Sequence, residues 1–324
     1  MTCVALLSNP RSTGNRARLP EVRNFCAAHP DIFHYEVEDA SEIGKALASI
    51  ALVKPKVIAI NGGDGTVQST LTELYTGAYF DGPPPPIAVL PNGKTNLIAL
   101  DLGAHGDPLE ALREVVRIAR DDLDAHIVQR KLISLSDGNG MKPVLGMFLG
   151  GAGLVDAMLY CRQRIYPLGL PNGISHFLAV FAALLTALVR ASGRFLPPMA
   201  RPVQITTDRR DAIGGRFSLV IVTTLEKMLL NSQIGSGDGR GEGMMKMFAI
   251  DQNARSLVRG LWASVAGKLG RDQFSGVHFQ QGDTVRIDGA GSSVILDGEL
   301  YQARGNDPIM LSSTAPVPFL RLAT

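Results

Sequence analysis

The order of hydrophobic and polar positions changes rhythm near residue 126. Before that point, short apolar runs alternate with helical periodicity. CVALLSN (3–9) reads as a strand ending in the turn-rich NPRSTGN, and a helical pattern follows over 19–28. FHYEVED (33–39) predicts a second strand, after which Ser41 is placed to cap a helix running through Val53. Residues 56–60 predict a third strand that runs straight into NGGDGT. Val67, Leu71, Leu74, Tyr75 and Ala78 then recur at helical spacing. Pro83, Pro84, Pro85 and Pro86 form a stiff connector to a fourth strand, IAVLP (87–91), and 109–119 supplies another helix. Strands alternating with helices imply a parallel sheet covered by helices on both faces.

Beyond His126 the runs are shorter and mostly strand-like. Residues 129–135 and 143–149 predict strands joined by Asp137-Gly138-Asn139-Gly140, a strong hairpin signal. Further strands are expected at 203–207, 217–223, 244–250, 284–287 and 293–296. Apart from an apolar helix at 177–189 and a helical piece at 256–269, this half reads as an antiparallel β-sandwich. The glycine-rich 235–243 reads as a loop.

Composition narrows the function. A chain of 324 residues suggests two domains, and 45% hydrophobic content is ample for conventional cores. A net charge of +2 with no basic tract argues against nucleic acid as a partner. Cys3, Cys26 and Cys161 are far apart and lack CxxC spacing, so reduced core thiols are expected rather than disulfides or zinc. The histidines form no HxxxH or HExxH pair. MTCVALLSNP has no basic n-region and reads as a first strand, so the expected location is cytoplasmic.

The stretch FLAVFAALLTALV (177–189) falls short of the roughly 20 residues needed to span a bilayer. Pro167, Pro171, Pro197 and Pro198 bound it. Two readings stay open. It is a buried helix of the second domain, or a greasy helix beside a lipid entrance or on a membrane surface. In the second case Arg162, Arg164, Arg190 and Arg194 suit phospholipid head groups.

The candidate chemistry lies in the turn after the third strand. Gly62, Gly63 and Gly65 remove side chains where backbone turns sharply and can approach a ligand. The helix that follows points its free N–H groups into the same space, a ready anion site. Asp64 would repel bare phosphates, and makes sense facing Mg²⁺ or an acceptor hydroxyl. GxxxxGK[ST] occurs nowhere and GxGxxG is absent at this turn, so neither a P-loop nor a Rossmann fingerprint is present. Phosphoryl transfer from ATP to a hydroxyl is the expected reaction.

Four segments in order now carry a resemblance. Asn9-Pro10 with Ser12 and Gly14, Gly62 to Thr66 as GGDGT, LPNGKTN at 90–96, and Leu296-Asp297-Gly298-Glu299 as LDGE resemble the diacylglycerol kinase catalytic-domain family. That family includes bacterial lipid kinases, sphingosine kinases and ceramide kinases. The resemblance implies an α/β nucleotide-binding domain of the NAD kinase and phosphofructokinase type over 1–125. A β-sandwich lipid-substrate domain would follow over 126–307, with the C-terminal segment 308–324 returning to the first domain. Asn9, Gly62, Gly63, Asp64, Gly65 and Thr66 would line the ATP phosphates, and Gly93, Lys94 and Asn96 a second wall. Glu299 matches the family's proposed general base, with Asp64 and Asp297 as its catalytic companions and as Mg²⁺ ligands.

The resemblance further implies ATP and Mg²⁺ as cofactors and a lipid substrate at a membrane surface. Peripheral contact with the inner face of the membrane is consistent with it. Oligomeric state is left open, a homodimer included. Some positions depart from the family pattern. Gln68-Ser69 stands where Asn-Glu is common, Lys94 replaces a threonine, and Leu97 an aspartate. Glu242-Gly243-Met244 is the nearest counterpart of a turn that holds a structural Mg²⁺ in relatives. The expected activity is therefore an ATP-dependent lipid kinase acting on a diacylglycerol, ceramide, sphingoid base or related lipid. A soluble-substrate kinase of the NAD kinase kind and a catalytically impaired lipid-binding homologue are the alternatives.

Overall fold

A computed structural model describes residues 2–93, 95–137, 140, 142–160, 200–226, 244–265, 268, 274–305 and 307–322. The chain divides into two compact units. One comprises Met1–Leu132, Pro143–Gly146 and Thr314–Thr324, the other Ile133–Lys142 and Met147–Ser313.

The first unit is built on a six-stranded sheet. Its strands are β1 (Val4–Ser8), β2 (Ile32–Glu36), β3 (Val57–Asn61), β4 (Ile87–Val89), β5 (Ile127–Arg130) and β17 (Val317–Leu320), in the order β2-β1-β3-β4-β17-β5. The first four and β17 run parallel, and β5 is antiparallel to β17. β1 and β3 are buried along their whole length, as expected of central strands covered on both faces. On one face Val4, Leu6, Val57 and Ala59 pack with Leu19, Val22 and Cys26 of α1 (Asn15–Ala27) and with Leu112, Val115 and Ile118 of α5 (Pro108–Asp121). The opposite face is covered by α2 (Ile43–Val53) and α3 (Asp64–Thr76), which pack on β2 and β3 and on each other. A short α4 (Leu97–Asp101) follows the fourth strand. Burial pushes the Cys26 thiol up to about 11, as suits a core thiol.

The alternation of strands and helices is as expected, and the boundaries shift for physical reasons. α1 begins at Asn15 rather than near residue 19, because the Asn15 side chain donates to Asn9 O at 2.8 Å and to Asn61 O at 2.9 Å. Ser41 does not cap α2: it lies inside a 3-10 turn (Ala40–Glu42) that leads into the helix, and Asp39 caps that turn, accepting from Ser41 N–H at 2.9 Å while Glu42 completes a capping box. The strand expected over 129–135 is two. β5 pairs with β17, while β6 (Ile133–Ser136) pairs with β16 (Ile309–Ser313). The run 143–149 also breaks, into β7 (Val144–Gly146) and β8 (Phe148–Gly151). β7 is held to α3 by Leu145 N–H donating to Thr72 Oγ1 at 3.0 Å.

The second unit is antiparallel. Its further strands are β9 (Pro202–Thr207), β10 (Ile213–Thr223), β11 (Met245–Asp251), β12 (Val277–Gly282), β13 (Thr284–Asp288), β14 (Ser293–Leu296) and β15 (Glu299–Gln302). They run in the order β15-β14-β8-β10-β9-β13-β16-β6, with β11 and β12 joined through β10. The long β10 pairs with β9 through 213–216 and with β8 through 220–223, so one strand links both groups. Helices α6 (Gly153–Tyr160) and α7 (Ala254–Val265) lie against this sheet. The fold class read from the chain, an α/β domain followed by an antiparallel β domain, is what the structure shows. The apolar stretch 177–189 with its flanking arginines, the loop 235–243, Glu242, Cys161, Lys94 and part of the 137–140 turn lie outside the described residues. Among the described residues no helix is long and apolar enough to cross a membrane.

Candidate nucleotide site

In the first unit three turns leave the C-terminal ends of adjacent parallel strands β1, β3 and β4, the edge where open α/β sheets place ligands. Side-chain amides tie the turns together. Asn9 Nδ2, after β1, donates to Thr66 Oγ1 at 2.9 Å, and Asn9 N–H donates to Asn61 O at 2.9 Å. Asn92, after β4, donates through Nδ2 to Asn61 Oδ1 at 2.6 Å and to Asn15 Oδ1. Asn61 Nδ2 in turn donates to Ser8 Oγ at 3.1 Å. Asn15, Asn61 and Asn92 are buried. An amide offers both donors and acceptors without charge, so this floor is satisfied yet does not repel an anion.

The glycine turn sits above that floor. α3 starts at Asp64 with Gly63 as its N-cap, and Gly63 O accepts from Thr66 N–H at 2.9 Å and Val67 N–H at 3.1 Å. Ahead of these, the Asp64 and Gly65 N–H groups have no intrahelical acceptor and lie at the positive end of the helix dipole. Gly63, Asp64, Gly65 and Gly93 are partly exposed, whereas Gly62 and Thr66 are buried. A side chain at Gly62 would press on Thr66 Cβ at 2.7 Å, so this glycine lets turn and helix meet. Gly63 faces open space: a Cβ added there would meet nothing within 4 Å.

The third turn closes over the helix start. Gly93 N–H donates to Asn96 Oδ1 at 2.6 Å, and Asn96 takes the left-handed conformation at φ 53. A Cβ on Gly93 would stand 3.3 Å from Asp64 N, so glycine here permits close approach. Thr95 Oγ1 donates to Asp64 Oδ2 at 2.6 Å, which orients that carboxylate. The structure thus gathers Asn9, Gly62, Gly63, Asp64, Gly65, Thr66, Gly93 and Asn96 at one edge of one sheet. Gln68, a departure from the family pattern, is buried in α3, and Leu97 opens α4. Sequence reasoning misses Asn15, Asn61 and Asn92. The signal that could have found Asn61 and Asn92 is an asparagine closing or just following successive strands.

In the second unit, β14 and β15 form a hairpin whose two-residue loop is Asp297-Gly298, at φ 45 and φ 95. Two positive φ values with Asp-Gly define the type I′ turn that right-handed strand twist favours. Asp297 is buried: its Oδ2 accepts from Met147 N–H at 3.0 Å and its Oδ1 from Phe148 N–H at 2.9 Å. The break between β7 and β8 is therefore capped by this carboxylate. Glu299, the next residue but one, begins β15 and is exposed.

A helix N-terminus, exposed glycine backbone and an oriented carboxylate meet at one edge of this α/β unit. Residues 3–127, which contain all three turns, match the family model of the diacylglycerol kinase catalytic domain. The Leu296–Glu299 hairpin lies outside the matched segment. A crystal structure of a candidate diacylglycerol kinase from Bacillus anthracis str. Sterne is similar with a TM-score of 0.63 and 19% identity. The match covers 97% of this chain and 94% of that one. A diacylglycerol kinase structure from the same organism gives 0.61 and 18%, covering 98% and 96%. At these identities the likeness is one of fold. No curated protein matches the chain.

Proposed function

We propose that this protein is an ATP-dependent lipid kinase, transferring the γ-phosphoryl group to a hydroxyl of a diacylglycerol, ceramide, sphingoid base or related lipid. The observation that carries the reading is the cradle at the start of α3, within the segment matching the diacylglycerol kinase catalytic domain. Asn9, Gly62, Gly63, Gly65 and Thr66 bind the phosphates through backbone N–H groups and neutral amides, with Gly93, Lys94 and Asn96 as the second wall.

The donor set suits a nucleotide-borne Mg²⁺. Such ions take one or two carboxylates together with phosphate oxygens and waters rather than an all-protein cage. Asp64 offers one carboxylate, held by Thr95. No cluster of three His, Cys, Asp or Glu groups is found among the described residues. When bound, the ion would neutralise charge on the transferring group.

The chain's own residues do the rest. Glu299 accepts the proton of the lipid hydroxyl as that oxygen bonds to the γ-phosphorus, while the bond to the β–γ bridging oxygen breaks and ADP leaves. Asp297 positions Glu299 by fixing the hairpin loop, its oxygens being engaged by Met147 and Phe148 N–H. A cytoplasmic protein touching the inner face of a membrane fits this substrate class.

The test is a lipid panel with γ-labelled ATP and Mg²⁺, followed by solvent extraction. Label entering the organic phase is the expected result. Normal ATP binding with no lipid labelled would overturn the lipid-kinase reading. Label transferred only to a water-soluble acceptor would instead favour a soluble-substrate kinase, and failure to bind ATP an impaired homologue.

A further inference from the structure

Helix α7 presents apolar side chains where a surface helix ordinarily presents polar ones. Its packed face is Ser256, Gly260 and Ala263, set against β11 and β12. A Cβ on Gly260 would collide with Ile250 Cδ1, so the helix lies close on the sheet. Away from that face, Val258, Leu261 and Trp262 are 54%, 53% and 54% exposed. They are three of the five large hydrophobics exposed among the described residues. Spacings of three and four bring them to one edge of the helix.

The charged side chains that this helix itself carries are all cationic. Arg255 and Arg259 are exposed on the same helix, and Ala254–Val265 contains no Asp or Glu. Lys268 Nζ lies 5.2 Å from the centre of the Trp262 ring, and Phe274 meets the indole edge-on with ring centres 6.0 Å apart. The tryptophan is therefore held outward at a fixed angle rather than folded onto the core. Apolar residues beside arginine and lysine, with an indole between them, match the chemistry of an interfacial helix on anionic lipid.

We propose that the Val258, Leu261 and Trp262 edge of α7 docks the protein on an anionic bilayer. The apolar side chains would enter the headgroup boundary, and Arg255, Arg259 and Lys268 would meet lipid phosphates. A second copy of the chain fits less well, because an isologous contact sets the same patch on itself and opposes cation to cation. The inference stands on α7 alone and does not depend on the phosphoryl-transfer reading.

Trp262 is the only tryptophan in the chain, so its emission reports on this edge alone. Phosphatidylcholine–phosphatidylglycerol vesicles should shift the emission to the blue, and brominated acyl chains should quench it. Pure phosphatidylcholine should do so weakly, and added salt should reverse the effect. In co-sedimentation, the Val258→Ser/Leu261→Ser variant should bind about tenfold more weakly or worse. Arg255→Gln/Arg259→Gln should lose the preference for anionic vesicles. Circular dichroism melting shows whether each variant stays folded, and the emission of the native chain decides the matter even if one does not. Unchanged emission with vesicles would overturn the proposal, as would folded variants that sediment like the native chain. An emission shift that follows protein concentration without lipid, accompanied by dimer formation, would also overturn it. No ATP enters these measurements, so their failure is distinct from failure of the kinase reading.

Discussion

Asn9 Nδ2 donates to Thr66 Oγ1 at 2.9 Å, joining the turn after β1 to the first turn of α3 across 57 positions of sequence. The bond sets the height of the first strand's turn against the glycine turn. A ligand spanning both therefore meets a preformed surface. Asn9→Ala removes the donor and leaves the Thr66 hydroxyl short of a partner, a loss of about 1–1.5 kcal/mol. ATP–Mg²⁺ affinity should fall about tenfold, which calorimetric titration would measure.

Two glycines separate a packing effect from a binding effect. A methyl at Gly14 would collide with Asn92 Oδ1 and stand 2.8 Å from the Asn92 carbonyl oxygen, displacing the amide that links β4 to β3. Gly14→Ala should destabilise the first unit by about 1–3 kcal/mol in urea unfolding. Gly63 has room for a methyl and a φ of -79, so Gly63→Ala should melt like the native chain. Its methyl would fill space beside the helix N-terminus and weaken ATP binding about tenfold or more, because backbone can no longer approach phosphate closely.

The two acids of the β14–β15 hairpin should behave in opposite ways. Glu299 is exposed, so Glu299→Gln should keep its melting temperature and ATP affinity while lipid phosphorylation slows about 10²–10⁴-fold. Asp297 is buried and accepts from two backbone N–H groups, so Asp297→Asn turns an acceptor into a donor facing a donor. About 1–3 kcal/mol of stability should be lost, visible as a lower melting temperature.

His34 links the floor of the site to pH. Its Nε2 lies 2.9 Å from Ser8 Oγ, which accepts from Asn61. Burial lowers its pKa from 6.5, opposed by Glu36 and assisted by Arg23. A folded value below the unfolded one means that the unfolded chain binds the proton more readily. The stabilisation is thus complete above 6.5 and is lost as pH falls through the window beneath it. Melting temperatures of the native chain should fall on acidification from 6.5, and His34→Gln should flatten that slope.

Much of this architecture is legible in local patterns. The apolar runs at β1, β3 and β4 and the helical spacing after Gly65 require no partner to be recognised, because both faces of a central parallel strand are buried. The glycine turn is equally local: Gly62, Gly63 and Gly65 mark close backbone approach before any contact is known. β12, β15, β16 and β17 do not emerge from the chain. β15 is largely exposed, and β17 contains a proline between buried residues, so neither shows clean alternation. The cap at Asp39 escapes a reading by type because Ser41 is as good a capping residue, and only hydrogen bonding distinguishes them.

The sequence by itself determined an α/β unit with a phosphate-type turn, an antiparallel unit after it, and a motif order resembling lipid kinases. Each of these rests on neighbours in the chain, where propensity and spacing act. Tertiary structure alone decided that Asn9, Asn15, Asn61 and Asn92 form one amide floor, since most of their partners are residues distant in sequence. It alone made Asp297 a cap for a broken strand, through bonds to residues about 150 positions away. It also turned the Val258, Leu261 and Trp262 edge outward, because which face of an amphipathic helix meets the core depends on the sheet beneath it.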